Sequence, residues 1–316
     1  MIIKFSNSDA NETYVYLLDL SMSSIENIMK NQQSIALIIC YYGEFPWYFS
    51  YFIHSCGFNP TIDFYIVTDN HTMALPLPGN VKVIYKTLRQ TRELATKKLG
   101  FEVNLSYSYK LCDFKPAYGF IFSDLLKGYD FWGYGDIDVI FGNIRHFATD
   151  AVLSNFDLMS IQPYWLPGCF MICRNTEKMN TLFMHSKDYK TVFTSSKHYC
   201  FDETNFTHDK FNDGLNYHQA EADIESMTHV VKKMEELNYI KPYFDLHIIE
   251  GDPGNLKWHQ GTMTYKNKYE ALLYHLIDFK KHFVPGKKGS LIPDSFRISP
   301  TRIYHKTYRR LIVSLV

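Results

Sequence analysis

The stretch Tyr129-Asp-Phe-Trp-Gly-Tyr-Gly-Asp-Ile-Asp-Val-Ile-Phe-Gly-Asn-Ile144 constrains the fold more than any other part of the chain. Aromatic and aliphatic residues read as a buried strand, yet Asp136 and Asp138 stand in its middle, with Gly133, Gly135 and Gly142 close by. Two unpaired carboxylates in a core would be costly. The cost is avoided if the strand ends at Gly135 and its carboxyl end opens onto a cleft for a divalent cation, the glycines leaving room for a closely packed ligand.

The preceding sequence supplies a sheet for that strand to join. Ser34-Ile-Ala-Leu-Ile-Ile-Cys-Tyr-Tyr42 is a continuous apolar run of the kind buried on both faces of a parallel sheet. Pro46 suits the first turn of a helix whose apolar stripe runs to Gly57, and Ile62–Thr68 reads as a second strand closing on Asp69 and Asn70. Val81–Tyr85 is a third strand, Leu88–Leu99 a basic helix, and Lys115-Pro116 opens a helix expected to reach Gly128. Three such units imply an α/β sandwich. Further on, Phe156–Ile161 and Gly168–Cys173 read as short strands, Glu177–His185 as an amphipathic helix, and Phe244–Ile249 as another strand.

Domain organisation follows from these breaks. Residues 1–33 are a polar extension with a short regular segment at Tyr14–Leu18, and 34–281 form the main domain. Within it, 204–241 is expected as a helical insertion with Ile224, Met227, Val231, Met234 and Leu237 on one face, and 282–316 is a basic-apolar tail. The 33 basic and 33 acidic side chains cancel, so nothing in the balance points to nucleic acid. Six scattered cysteines read as reduced core residues. With no signal-peptide pattern and no apolar run near about 18 residues, the expectation is a cytoplasmic protein.

The run into Asp136-Ile-Asp138, with Cys112-Asp-Phe-Lys-Pro-Ala-Tyr-Gly119 before it, resembles the GT-A-type glycosyltransferases, especially uncharacterised bacterial sugar transferases of polysaccharide synthesis. That resemblance implies a Rossmann-like α/β/α sandwich with a mixed, mostly parallel central sheet. It also implies that the aspartates hold Mn²⁺ or Mg²⁺ against the diphosphate of a nucleotide-sugar, with UDP expected. Asp138 is then the direct metal ligand, Asp136 lies near ribose or metal, and His275 is the late third ligand, with His247 and His259 as rivals. Tyr41, Tyr42, Thr68 and Asp69 are placed at the nucleotide, Lys115 and Lys280 (or Lys281) at phosphate, and Asp113 at a donor-sugar hydroxyl or a helix cap.

The resemblance implies that Asp202 or Glu203 deprotonates the acceptor hydroxyl in an inverting enzyme, or positions the donor sugar in a retaining one, and that Gly168 shapes the acceptor side. The expected partners are a nucleotide-sugar donor and a glycan or lipid-linked glycan acceptor; the C-terminal tail reads either as a helix packed on its own domain or as a contact with the inner face of an anionic membrane. A sugar-phosphate nucleotidyltransferase is disfavoured because no glycine-rich basic loop follows the first strand. A glycan-binding protein without catalysis on the same fold is the remaining alternative.

Overall fold

The computed structural model describes residues 2–6, 13–17, 32–72, 76–285 and 292–305. The chain forms two compact units, 1–33 and 34–316. In the first, β1 (Ile2–Ser6) and β2 (Thr13–Leu17) make an antiparallel pair.

The second unit opens on β3 (Ile35–Cys40), whose alternate residues divide between two cores. Ala36 and Ile38 enter one, while Ile35, Leu37 and Ile39 enter the other, so both faces of the strand are covered as its unbroken apolar run requires. Helix α1 (Phe49–Gly57) lays Phe49, Phe52, Ile53 and Cys56 on the second face. Strands β4 (Ile62–Thr68) and β5 (Val81–Tyr85) continue the sheet in parallel. Helix α2 (Leu88–Leu99) starts at a capping box of Thr87 and Gln90 and stops at Gly100, whose φ of 77° is left-handed.

On the other side of β3 lies β6 (Phe131–Gly135), again parallel. The chain then makes β7 (Val139–Phe141), β8 (Leu158–Ser160), β9 (Phe170–Arg174) and, after helix α3 (Met227–Glu236), β10 (Pro242–Phe244). The main sheet has the order β10-β8-β9-β6-β3-β4-β5. Strand β9 runs antiparallel to both neighbours and the other pairings are parallel, which gives the expected mixed, mostly parallel α/β sandwich. The segment expected as an insertion feeds this core directly, with Ile224, Met227, Val230, Val231 and Met234 packed in the same cluster as Ile38 and Trp132. Leu237, expected on the same apolar face, is exposed.

Strand β7 leaves the main sheet. Downstream, β11 (Ile248–Ile249), β12 (Leu256–His259), β13 (Thr262–Tyr265), β14 (Tyr269–Glu270), β15 (Leu273–His275), β16 (Ser295–Ile298) and β17 (Ile303–His305) build two smaller sheets. Their orders are β11-β15-β7 and β14-β13-β12-β16-β17. Trp258 stacks on Phe296 at 4.9 Å and its indole N–H donates to the Phe141 carbonyl at 2.8 Å. Part of the segment expected as a tail is therefore sheet, whereas 306–316, the proposed membrane-facing end, lies outside the described residues.

Three local expectations are corrected. Lys115-Pro116 does not open a long helix: a 3-10 helix spans Ser108–Ala117 with Pro116 inside it, and a single α-turn follows at Tyr118–Ile121. Lys110, Asp113 and Lys115 of this segment are buried, and Gly119 lets the chain lie close to the Trp132 ring, where a Cβ would be 2.3 Å from the indole. The helix expected at Glu177–His185 breaks into an α-turn at Glu177–Asn180 and a 3-10 turn at Leu182–His185. Phe244–Ile249 is two strands in two sheets, separated at Asp245–His247.

Gly133 of β6 is a steric requirement. A Cβ on Gly133 would lie 2.2 Å from the Met171 carbonyl oxygen and 2.6 Å from Leu37 Cδ2. Backbone on the neighbouring strand cannot yield without losing the ladder, so Gly133→Ala is expected to cost about 3 kcal/mol in urea unfolding. A change under about 0.5 kcal/mol would show that the sheet absorbs the methyl.

Candidate active site

The carboxyl ends of β3 and β6 open into a cleft of about 450 Å³. The Asp136 amide donates to the Cys169 carbonyl at 3.1 Å, the last rung between β6 and β9, and the Leu276 amide donates to the Asp138 carbonyl at 2.8 Å where β15 meets β7. The two carboxylates thus occupy the short link where the backbone changes sheets. Their side chains face the cleft without interrupting either ladder.

Asp138 is 8% exposed. Its Oδ2 accepts from Lys280 Nζ at 2.5 Å and lies 3.6 Å from His275 Nε2. Burial would raise this carboxyl, but the His275 bond and charge, with Lys280, hold it below the usual carboxylate range. Glu250 Oε1 is 2.8 Å from His275 Nδ1, which leaves Nε2 directed at Asp138. Burial works against charge on His275, yet Cys169, Asp138 and Glu250 raise its pKa well above the ordinary histidine value. Ligand atoms of Asp136, Asp138 and His275 all lie within 4.8 Å of one another. Two carboxylates and one imidazole form a donor set suited to a hard or borderline divalent cation.

Asp136 keeps about a third of its side chain open, 34%, and its Oδ1 accepts from Lys115 Nζ at 2.7 Å. Enclosure, with Asp138 adding to it, raises the Asp136 pKa although Lys115 opposes the rise. Lys115, only 5% exposed, also donates to the Gly168 carbonyl at 2.8 Å and lies 3.7 Å from Asp202 Oδ2. One ammonium therefore ties the Asp136 carboxylate to the far wall.

The far wall distinguishes the two acids expected there. Glu203 Oε1 accepts from the Gly168 amide at 2.6 Å, and Oε2 contacts His208 Nε2 at 2.8 Å and the Cys200 thiol at 3.2 Å. Burial would raise Glu203, but the His208 bond and charge and the Gly168 amide bring it down to about 2. Asp202 is 2% exposed, and burial lifts its pKa well above the usual range with Lys115 opposing only in part. Gly168 belongs here on steric grounds, since a Cβ would lie 2.5 Å from Asp202 Oδ2 and 2.9 Å from Glu203 Oε1.

Tyr41 and Tyr42 both line the cleft. The Tyr41 ring stacks on Phe45 at 5.6 Å, while the Tyr42 hydroxyl is committed to Thr91 at 2.5 Å. Of the residues expected at the nucleotide or sugar, Thr68, Asp69 and Asp113 do not line the cleft. Thr68 is fully buried and its hydroxyl accepts from the Asn70 amide, and Asp69 accepts from the Gly43 amide at 2.9 Å, so both brace the loops after β3 and β4 without lining the cleft. Asp113 is fully buried against Lys110, His198 and the amides of Tyr199 and Phe201. His247 packs beside Phe147 and Tyr243, and Lys281 pairs with Asp278, which leaves His275 and Lys280 in the cleft. The sequence reading missed Glu250, Cys200 and His208; the spacing Cys200-Phe-Asp-Glu203 followed by His208 was the available signal.

No curated protein matches the sequence. Among solved structures, the chain is similar to the galactosyltransferase LgtC in complex with donor and acceptor sugar analogs, at 11% identity and a TM-score of 0.31 over 68% of this chain and 75% of that one. The glycosyltransferase GlyE of Streptococcus pneumoniae TIGR4 is similar at 9% identity and a TM-score of 0.31, over 67% of this chain and less than half, 45%, of GlyE. An active-site mutant of LgtC is similar at 13% identity and a TM-score of 0.28, over 50% of this chain and 65% of that one. Residues 37–307, most of the sequence, match one family model, and the chain belongs to that family, described as a family of unknown function (DUF6625).

Proposed function

We propose that this chain is a metal-dependent glycosyltransferase that moves a sugar from a nucleotide diphosphate donor, with UDP as the nucleotide, to a hydroxyl of a cell-surface glycan or lipid-linked acceptor. The observation that carries this reading is the convergence of Asp136, Asp138 and His275 with Lys115 and Lys280 in one cleft whose opposite wall holds the enclosed carboxylate Asp202. Mn²⁺ or Mg²⁺ held by the first three would neutralise charge on the departing diphosphate.

The chain's own residues supply the remaining roles. Lys280 sits on Asp138 Oδ2 and has a third of its side chain, 33%, exposed, so it can swing from that oxygen to a phosphate. Lys115 holds Asp136 oriented. As the acceptor oxygen bonds to the anomeric carbon and the bond to phosphate breaks, the acceptor's proton passes to the Asp202 carboxylate. Asp202 fits this role better than Glu203, because Glu203 has both oxygens occupied while Asp202 lines the cleft 3.7 Å from Lys115. Tyr41 offers a ring at the cleft wall to a nucleobase.

A thermal-shift panel of nucleotide-sugars, each with and without Mn²⁺, tests the reading. A true donor at about 100 times its Kd is expected to add about 2.7 kcal/mol, and only in the presence of metal. Equal stabilisation with a chelator present would overturn metal-bridged binding. A shift with free glycans and none with any nucleotide-sugar would favour the non-catalytic glycan-binding alternative.

A further inference from the structure

On the cleft wall facing the Asp136–Asp138 link, one tight loop brings together a thiol, a carboxylate and an imidazole. Glu203 Oε2 lies 3.2 Å from Cys200 Sγ and 2.8 Å from His208 Nε2, and ligand atoms of the three residues are all within 4.8 Å of one another. We propose that Cys200, Glu203 and His208 form a second cation site, selective for a borderline-soft ion such as Zn²⁺ and separate from the carboxylate-rich site at Asp138.

The donor chemistry sets the preference. Thiolate and imidazole ligands favour Zn²⁺ over Mg²⁺ or Mn²⁺, and three protein ligands with one open position are the usual arrangement of a zinc site that meets solvent or substrate. Here the open side is the cleft: the side chains of His208 and Glu203 remain 29% and 24% exposed, while Cys200 is buried behind them. Tetrahedral bonds of about 2.3 Å to sulfur and about 2.0–2.1 Å to nitrogen and oxygen separate ligand atoms by roughly 3.3–3.5 Å. The Cys200–Glu203 pair needs to open by a few tenths of an ångström and the Glu203–His208 pair by about half an ångström. On binding, the thiol proton and any imidazolium proton leave for solvent.

The backbone is shaped to make this cluster. Cys200, Asn205 and Phe206 have φ of 51°, 56° and 64°, a left-handed conformation that is uncommon for side-chain-bearing residues and unfavourable for bulky Phe206. The amides of Glu203 and Asn205 both donate to the Cys200 carbonyl, which winds the loop around its own start. Outside the cluster, the Gly168 amide fixes Glu203 at 2.6 Å and the Trp165 ring packs edge-on to His208 at 4.6 Å, so two of the three side chains are oriented by neighbours.

Cd²⁺ titration of the full chain, stripped of metal with a chelator, tests this assignment through the thiolate-to-metal charge-transfer band in the ultraviolet. One equivalent of Cd²⁺ is expected to develop the band, and Zn²⁺ to bleach it by competition. Cys200→Ser should abolish it, and His208→Ala should weaken Cd²⁺ binding by about 10-fold or more while leaving the thiol in place. Asp138→Asn and Cys169→Ser should both retain the band. No band in the unmodified chain would mean that the three residues are a hydrogen-bonded turn only. A band that survives Cys200→Ser and disappears in Cys169→Ser would place the ion at Cys169, Glu250 and His275 instead. The readout does not depend on any donor or acceptor, so its outcome is independent of the glycosyltransferase reading.

Discussion

Asp138→Asn is expected to reduce metal-dependent transfer by on the order of 100- to 1000-fold, the effect of losing about 3–4 kcal/mol of charge stabilisation on a departing diphosphate. The substitution keeps the shape of the side chain and removes only its charge. In the native cleft that charge is strongly stabilised, with Lys280 at 2.5 Å and His275 at 3.6 Å from the same oxygen. An amide there offers a weaker donor to a hard cation and releases Lys280. Two measurements follow: turnover of whichever nucleotide-sugar the binding panel identifies, and the Mn²⁺-dependent part of its thermal shift. Both should fall together in Asp138→Asn. Asp136→Asn should have the smaller effect on metal affinity, because one Asp136 oxygen is already engaged by Lys115. Full turnover by Asp138→Asn at limiting Mn²⁺ would remove the metal site from the mechanism.

How much of this was legible in the sequence depended on whether a residue's partners were local. The unbroken run at Ile35–Cys40 announced a strand covered on both faces, and the glycine-flanked aspartates announced a place where a strand ends. Both are written in consecutive residues. Asp113 shows the opposite case. The resemblance around Cys112–Gly119 implies a donor-sugar hydroxyl or a helix cap for Asp113, yet its hydrogen-bond partners at Tyr199 and Phe201 are 86 and 88 positions away, and only Lys110 is near in sequence. The C-terminal sheet escaped notice for a different reason. Strands β12, β13 and β16 are four residues each, too short for alternation to stand out, and Trp258 and Phe296 reveal their pairing only when stacked. Asp202 and Glu203 were visible as a pair, but their different states come in part from the distant Gly168 amide, which only the folded chain brings to Glu203, beside the local Cys200 and His208.

The contacts around Asp113 also imply a large effect on stability. Lys110→Met is expected to cost about 3–5 kcal/mol, the usual penalty for removing one member of a buried ion pair. Lys110 and Asp113 are both fully buried, 2.7 Å apart. The same ammonium donates to the carbonyls of Val192 and Lys197, at 2.8 Å and 2.5 Å, so methionine would also leave two acceptors without that donor. Burial would raise Asp113, but the His198 bond, Lys110 and the Phe201 amide together lower its pKa. The sign of the pH dependence follows. A depressed folded-state pKa contributes stability above the unfolded value of about 3.9, and that contribution is lost as pH falls through the folded-state value. The gap between the native chain and Lys110→Met should therefore be widest near neutrality and shrink in acid, as Asp113 takes up a proton and no longer needs the ammonium. Unfolding midpoints for the single variants Lys110→Met and Asp113→Asn and for the double variant, compared at neutral and acidic pH, measure the coupling directly. If the single losses simply add at every pH, the pair is not coupled and the loop carrying Asp202 and Glu203 is anchored by other contacts. A strong, pH-sensitive coupling would mean that the acid expected to touch the donor sugar acts from behind the cleft, holding the backbone of the catalytic wall.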